Sequence, residues 1–285
     1  MFESASAYTQ ATWRLLVDKT PASGRWNMAL DEAIMHAVST RESPPTLRLY
    51  QWNPTCLSLG KRQPSGDVDL EACKRDGVDV VRRATGGLAI LHTEELTYSV
   101  VTTQDDARAA GAILDAYRRL SEGLVAALRI MGIQAEMTPV APSGSHGATP
   151  ACFEAPSAYE LIAHGRKILG SAQTRPQGKV LQHGSLPLTG DIGRAASYLR
   201  AASPSDSEAL RRHLREHATT VLDVTGRMVS FDEAAAAFTQ GFAAALNVVF
   251  EPGLVSSNEH KLASEIALSK AFIDGAETSA IVVTP

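Results

Sequence analysis

The sequence predicts an α+β fold, a central sheet flanked by helices in one domain. Strand-like runs crowd the first two-thirds of the chain. Alanine-rich, charged segments with helical patterning fill the last third, and no repeat or low-complexity linker separates the two. With 285 residues, 44% of them apolar and 20% charged, the chain has a globular composition and enough length to bury a large core. A formal net charge of −4 supplies no basic excess for a phosphate backbone, which argues against nucleic acid as a partner. Cys56, Cys73 and Cys152 form no C-x-x-C pair and no zinc-ligand spacing, so no metal site is expected. Sparse cysteines, no apolar run long enough to span a bilayer and no signal-like start predict a cytoplasmic protein with no membrane contact.

Each element follows from local pattern. Residues 12–18, TWRLLVD, read as a strand. In GRWNMALDEAIMHAVS, Asn27 is a plausible N-cap, and Met28, Ala29, Glu32, Met35 and His36 would share one side of a helix. Leu47, Leu49 and Gln51 alternate with Arg48 and Tyr50, a strand pattern; TCLSLG, VDVVRR and LTYSVVT are further strand-like runs. Residues 105–132 carry the clearest helix, with Ile113, Tyr117, Leu120, Leu124 and Leu128 on one stripe and Gly132 at its end. A Gly/Pro/Ser loop, 141–151, leads to Cys152. AYELIA and RKILGSA, joined by His164-Gly165, form a hairpin candidate, and KVLQHGSLPL is another strand. Segments 191–202, 205–217, 231–246 and 258–272 read as helices broken at Gly226 and Gly253, more readily packed on the domain than independent of it.

Four segments carry chemistry. In RRATGGLAILH, Arg82 and Arg83 end a strand, and Thr85-Gly86-Gly87 and His92 follow. Paired glycines let backbone N–H groups approach an anion or a carbonyl, but the same pattern serves as a plain turn with solvated arginines. In HGRKILGSAQTR, Lys167 stands just before Gly170-Ser171-Ala172, small residues that leave room beside a cation. That lysine could equally be a surface group. Cys152 follows the long loop; a thiol beside a cation becomes a nucleophilic thiolate, whereas most cysteines, here Cys56 and Cys73, are inert buried hydrophobes. His183-Gly184-Ser185 interrupts an apolar strand, either lining a pocket or forming a bulge. The remaining histidines, His36, His146, His213, His217 and His260, show no ligand spacing and read as surface or core.

Taken together, Cys152-Phe153-Glu154-Ala155-Pro156-Ser157, Gly165-Arg166-Lys167, Gly170-Ser171-Ala172-Gln173, the Arg82–His92 stretch and LQHGSLPL resemble the octanoyltransferase branch of the lipoate/biotin protein ligase superfamily. The resemblance covers about residues 12–250, with residues 251–285 as a C-terminal helical extension packed on that catalytic domain. The family often carries a third glycine or an arginine after Thr-Gly-Gly, where this chain has Leu88. The resemblance implies a mixed or antiparallel sheet of the biotin/lipoate ligase catalytic type. It further implies transfer of octanoyl from acyl carrier protein to a lysine of the glycine-cleavage H protein or a lipoyl domain. Cys152 and Lys167 would be catalytic. Arg82, Arg83, Thr85, Gly86, Gly87, His92, Gly170, Ser171, Ala172, His183, Gly184 and Ser185 would line the substrate site, with no cofactor and the chain acting as a monomer. Two rivals share parts of this pattern. An ATP-dependent lipoate ligase shares the lysine and the glycine loop, and an octanoyl amidotransferase between lipoyl-accepting proteins shares the cysteine.

Overall fold

The structure, a computed structural model, describes residues 8–138 and 160–269. Cys152 with its Cys-Phe-Glu-Ala-Pro-Ser segment, His146, the 141–151 loop and residues 270–285 lie outside the described residues. In chain order the elements begin β1 (Ala11–Val17), α1 (Gly24–Ser39), β2 (Thr46–Tyr50), β3 (Cys56–Leu59), α2 (Leu70–Arg75) and β4 (Asp79–Arg82). They continue β5 (Ile90–His92), β6 (Glu95–Thr103), α3 (Ile113–Ile130), β7 (Glu136–Met137), β8 (Leu161–Ala163), β9 (Arg166–Thr174) and β10 (Lys179–Pro187). Last come α4 (Pro204–His217), α5 (Val221–Thr225), α6 (Phe231–Leu246), β11 (Val248–Pro252) and α7 (Ser257–Ser269).

Eight strands form one sheet in the order β11-β1-β2-β6-β10-β9-β8-β7, and β4-β3-β5 form a second. In the large sheet β1 runs parallel to both β11 and β2, and every other neighbouring pair is antiparallel, so the sheet is mixed. On one face Leu47, Leu49, Tyr98 and Leu186 pack under α3 and α6 through Leu120, Leu124, Phe238 and Phe242. The two helices nearly touch: a Cβ on Gly241 would lie 2.4 Å from the Ala127 backbone nitrogen. The opposite face receives α1, whose Leu30, Ala33, Ile34 and Val38 meet Leu16, Val101, Leu181 and Ala263 of α7. The small sheet is closed by α2, a 3-10 stretch over Ile192–Tyr198, and α4.

Several elements differ from the expectation. Helix α1 is capped by Ser23, whose hydroxyl accepts from Trp26 N–H at 3.3 Å, not by Asn27. Asn27 is fully buried inside the helix, and its amide donates to the Ala22 and Gln51 carbonyls. His36 is exposed, while Met28, Ala29 and Met35, expected on the same side of the helix, are buried. Helix α3 begins at Ile113, because Gly111 takes φ +80° just before it, and Ile113 is 55% exposed rather than part of the stripe. The alternation read in β2 does not separate core from solvent, since all five residues are buried. Strand β10 carries no bulge and pairs with β6 in unbroken register from Lys179 to Pro187. The region expected as helix 191–202 is the 3-10 stretch. Strand β11, which lies across residue 250, was not expected; Asn247 in the left-handed region (φ 48°) ends α6 and turns the chain into it. The His164-Gly165 turn joins β8 to β9 as expected, with φ of 50° and 74°, both in the region that primed hairpin turns require.

Candidate functional site

Two motifs that are remote in sequence meet residue for residue. Along the β9–β10 ladder Gly170 faces Ser185, Ser171 faces Gly184 and Ala172 faces His183. On its other edge β10 places His183 opposite Ser99, Gly184 opposite Tyr98 and Ser185 opposite Thr97. A Cβ on Gly184 would lie 2.4 Å from the Gly170 carbonyl oxygen and 2.7 Å from the Tyr98 ring, so only glycine fits beneath that ring. The Tyr98 hydroxyl is 2.7 Å from Ser171 Oγ and accepts from Gln182 Nε2 at 3.1 Å, and its phenol is pushed up to about 12 by burial.

His183, on the α1 side, bridges two elements. Its Nε2 is 2.6 Å from Thr85 Oγ1 in the glycine loop, and its Nδ1 is 3.5 Å from Asp31 Oδ2 of α1. Asp31 also accepts from Arg48 Nη1 at 2.8 Å, Ser99 Oγ at 2.9 Å and the Tyr50 hydroxyl at 3.0 Å. Burial pushes the Asp31 carboxyl up, but the hydrogen bond to His183 and the Arg48 charge outweigh it and leave it below the usual carboxylate range. Burial also holds the His183 imidazole below its ordinary 6.5, against the pull of Asp31.

A second polar chain runs behind the glycine loop. Arg83 donates to the carbonyls of Ser58, Gly86 and Leu88 and, at 3.2 Å, to Ser58 Oγ. Ser58 Oγ lies 2.7 Å from His92 Nε2, and His92 Nδ1 lies 2.8 Å from Glu95 Oε1. The Glu95 carboxylate, held ionised, can only accept, so His92 Nδ1 carries the proton on that side. The His92 ring stacks on Trp52 at 3.9 Å and 9°. Both arginines expected at the strand end therefore hold backbone rather than stand in solvent. Arg83 is buried, and Arg82 donates to the Gly60 and Gln63 carbonyls at 2.8 and 2.6 Å. The loop conformation needs glycine at two points. Gly87 has φ +91°, and a Cβ on Gly60 would fall 1.8 Å from the Gly87 carbonyl oxygen. Next to this loop a cleft between the sheets is lined by Ala89, Leu91, Glu95, Ser185, Ile192 and Leu214.

Lys167 is no surface group. Its Nζ donates to Glu160 Oε1 at 2.5 Å, with the two side chains 4% and 3% exposed. The register slips between β8 and β9, so that Leu161 faces Leu169 while Ile162 faces Lys167. The extra residue puts Ile168 and Leu169 together in the core and turns Lys167 to the other face. Glu160 escaped the sequence reading; the signal that could have found it is its place two residues before Ile162, on the strand face that Lys167 also takes. Asp31 and Arg48 escaped as well, since each lies inside a pattern that reads as an ordinary helix or strand. Cys56 and Cys73 are buried, as expected of inert thiols. Burial pushes Cys56 well up and Cys73 to about 11. Among the described residues no group of three or more His, Cys, Asp and Glu side chains is placed to hold a metal ion, and no helix is long and apolar enough to cross a membrane.

Residues 23–243 match the family model of the lipoyl protein ligase A/B catalytic domain. The chain is similar to octanoyltransferase LipM of Kyrpidia tusciae, with 42% identity covering 90% of this chain and 94% of that protein. It is similar to octanoyltransferase LipM of Bacillus subtilis, with 36% identity covering 92% and 96%. Among solved structures it is similar to the bi-partite lipoate protein ligase of Thermoplasma acidophilum, with TM-score 0.74, 27% identity and coverage of 92% and 94%. A lipoate-protein ligase A bound with ATP superposes with TM-score 0.72 and 27% identity over 92% of this chain and 96% of that one.

Proposed function

The chain belongs to the lipoyl protein ligase A/B catalytic domain family, and from that premise we infer an octanoyltransferase that works through a covalent cysteine. It is an acyltransferase that moves an octanoyl group in lipoate biosynthesis, and its acceptor is a lipoyl-accepting protein. The reading goes further at each end of the reaction. The donor is octanoyl-acyl carrier protein, and the acceptor is the lysine of a lipoyl domain or of the glycine-cleavage H protein. The enzyme acts as a cytoplasmic monomer, with its catalytic unit in residues 12–250.

In the first half-reaction the Cys152 thiolate attacks the donor carbonyl. The carbon–sulfur bond to the carrier breaks, and the carrier thiolate leaves and takes a proton. In the second, the acceptor amine attacks the octanoyl-cysteine, loses a proton and releases the enzyme thiolate as the amide forms. Lys167 favours the thiolate and donates to the acyl oxygen. Because the donor is a thioester, activation by a nucleotide is unnecessary. The eight-carbon chain occupies the space between the Arg82–Gly87 loop and the His183–Ser185 strand, with Thr85, Gly86, His92, Gly170, Ser171 and Ala172 forming or backing its walls. Each methylene buried there contributes about 0.8 kcal/mol, so slot depth selects chain length.

What supports a transferase over a ligase is the similarity to octanoyltransferases along nine-tenths of the chain, together with the Cys152-Phe153-Glu154-Ala155-Pro156-Ser157 segment. The test is intact-mass analysis after mixing the protein with octanoyl-acyl carrier protein, without nucleotide or magnesium. The wild type and the Cys56→Ala and Cys73→Ala variants gain an octanoyl group that hydroxylamine removes and a lipoyl domain accepts, and Cys152→Ala gains none. An unmodified wild type that instead loads the lipoyl domain from free octanoate or lipoate with ATP is a ligase. Loading of the wild type from an octanoylated H protein, with none from the carrier, identifies an amidotransferase.

A further inference from the structure

We propose that Glu160 is the positioning residue of the transfer site, orienting the Lys167 ammonium and balancing its charge; this rests on the covalent reading above. A buried carboxylate–ammonium pair loses much hydration and seldom stabilises a fold better than two apolar groups would, so this pair is better explained by what it does to Lys167. Both partners are held from behind. The Glu160 backbone N–H donates to Thr138 Oγ1 at 3.0 Å, and Thr138 N–H donates to the Glu160 carbonyl at 2.8 Å. The Lys167 carbonyl accepts from Thr219 N–H at 2.9 Å. The slipped register on β9 brings Lys167 to the face that Glu160 approaches from the start of β8.

An ammonium carries three donors on a long flexible stem. Directing one at a fixed carboxylate sets the direction of the other two, three residues along β9 from Gly170, which faces Ser185. Glu160 also offsets the field of the cation. A thiol beside an uncompensated ammonium ionises more readily but attacks less well, because sulfur nucleophilicity falls with its pKa. The pair therefore keeps the nucleophile between too little thiolate and too weak a thiolate. Glu160 acts on the reaction through Lys167, whose ammonium it accepts from.

The experiment is a cycle of Glu160→Gln, Lys167→Met and the double variant, with Glu160→Asp as the conservative control. The pH midpoint of Cys152 alkylation is read with iodoacetamide and intact mass, and single-turnover acylation with octanoyl-acyl carrier protein. Glu160→Gln is expected to lower the midpoint by about half a pH unit and to slow acylation about tenfold, with the carrier concentration for half-maximal rate nearly unchanged. Lys167→Met is expected to raise the midpoint, Glu160→Asp to restore part of the rate, and the double variant to acylate at the rate of Lys167→Met alone. The double variant leaves no lone buried charge, so it keeps the cycle readable if a single variant unfolds. Additive effects on the acylation rate, an unmoved midpoint in Glu160→Gln, or wild-type acylation in that variant overturn the assignment. Cys152→Ala is run beside them. Transfer that survives there overturns the covalent reading and this inference together, whereas a dead Cys152→Ala with an additive cycle overturns the inference alone.

Discussion

His183 shows how much a single side chain decides here. Its imidazole is held below 6.5 by burial, so the folded protein binds that proton less tightly than the unfolded chain. As pH falls below about 6.5 the unfolded state takes up the proton first, and the stability that His183 contributes above that value is lost. Urea unfolding between pH 7 and pH 5 should show this decline, and His183→Gln should flatten it. A decline of the same size in the variant would assign it to other groups. Asp31 and Glu95, both below their ordinary 3.8 and 4.5, add a separate loss only at lower pH. At this scale the site was partly legible. Gly170-Ser171-Ala172 and His183-Gly184-Ser185 stand out because small and polar residues interrupt apolar strands. Their being opposite each other in a ladder was not legible, because register depends on which strands become neighbours. Glu160 and Asp31 were invisible for a different reason. A charged residue in a strand or helix pattern reads as solvent-facing, and only a partner brought by the fold makes burial tolerable.

Strand β2 and helix α1 carry that lesson at the level of elements. Arg48 looked like the outward half of an alternating strand, yet its guanidinium is fully buried. It donates to Asp31 at 2.8 Å, to Asp18 at 2.8 Å and to Asn27 Oδ1 at 2.7 Å. Alternation marked two faces correctly; it could not tell that both would be covered. Arg48→Met removes the cation and leaves Asp31 charged in the interior, which should cost about 3–5 kcal/mol. Guanidinium unfolding checks the figure, and adding Asp31→Leu should recover most of the loss. A single variant as stable as the wild type would mean that Tyr50 and Ser99 suffice to hold the carboxylate. Helices were easier to read than their ends: the α3 stripe is buried from Tyr117 to Leu128, but its start at Ile113 depends on the turn at Gly111. Strand β11 was hidden by alanine-rich surroundings, although the β-branched pair Val248-Val249 after a left-handed Asn247 was a usable signal.

Across the whole molecule, the last helix among the described residues is bolted to the first strand. Glu259 of α7 accepts from Arg14 of β1 at 2.8 and 2.6 Å and from Ser43 Oγ at 2.9 Å, with its carboxylate fully buried. Glu259→Gln should therefore loosen α7 by about 3–5 kcal/mol. Hydrogen exchange should quicken in α7 and along β1 while α3, on the opposite face, keeps its protection. Uniform exchange in the variant would contradict a local anchor. The mixed sheet itself was anticipated only through family resemblance; no local pattern could say that β1 lies between β2 and β11.

That placement has a consequence during synthesis. One edge of β1 is matched as soon as β2 exists, but the other must wait for Val248–Pro252. At about 5–20 residues per second, the ribosome takes roughly 12–47 s to travel from the end of β1 to the end of β11. Throughout that interval the nascent chain offers a row of unmated backbone donors and acceptors, a template for any extended segment nearby. Every motif assigned here to catalysis has been translated before this gap can close. The sheet is thus complete only once Pro252 has been made, and a ribosome that stalls between β10 and β11 leaves a chain with its chemistry written and its first strand still open to mispairing.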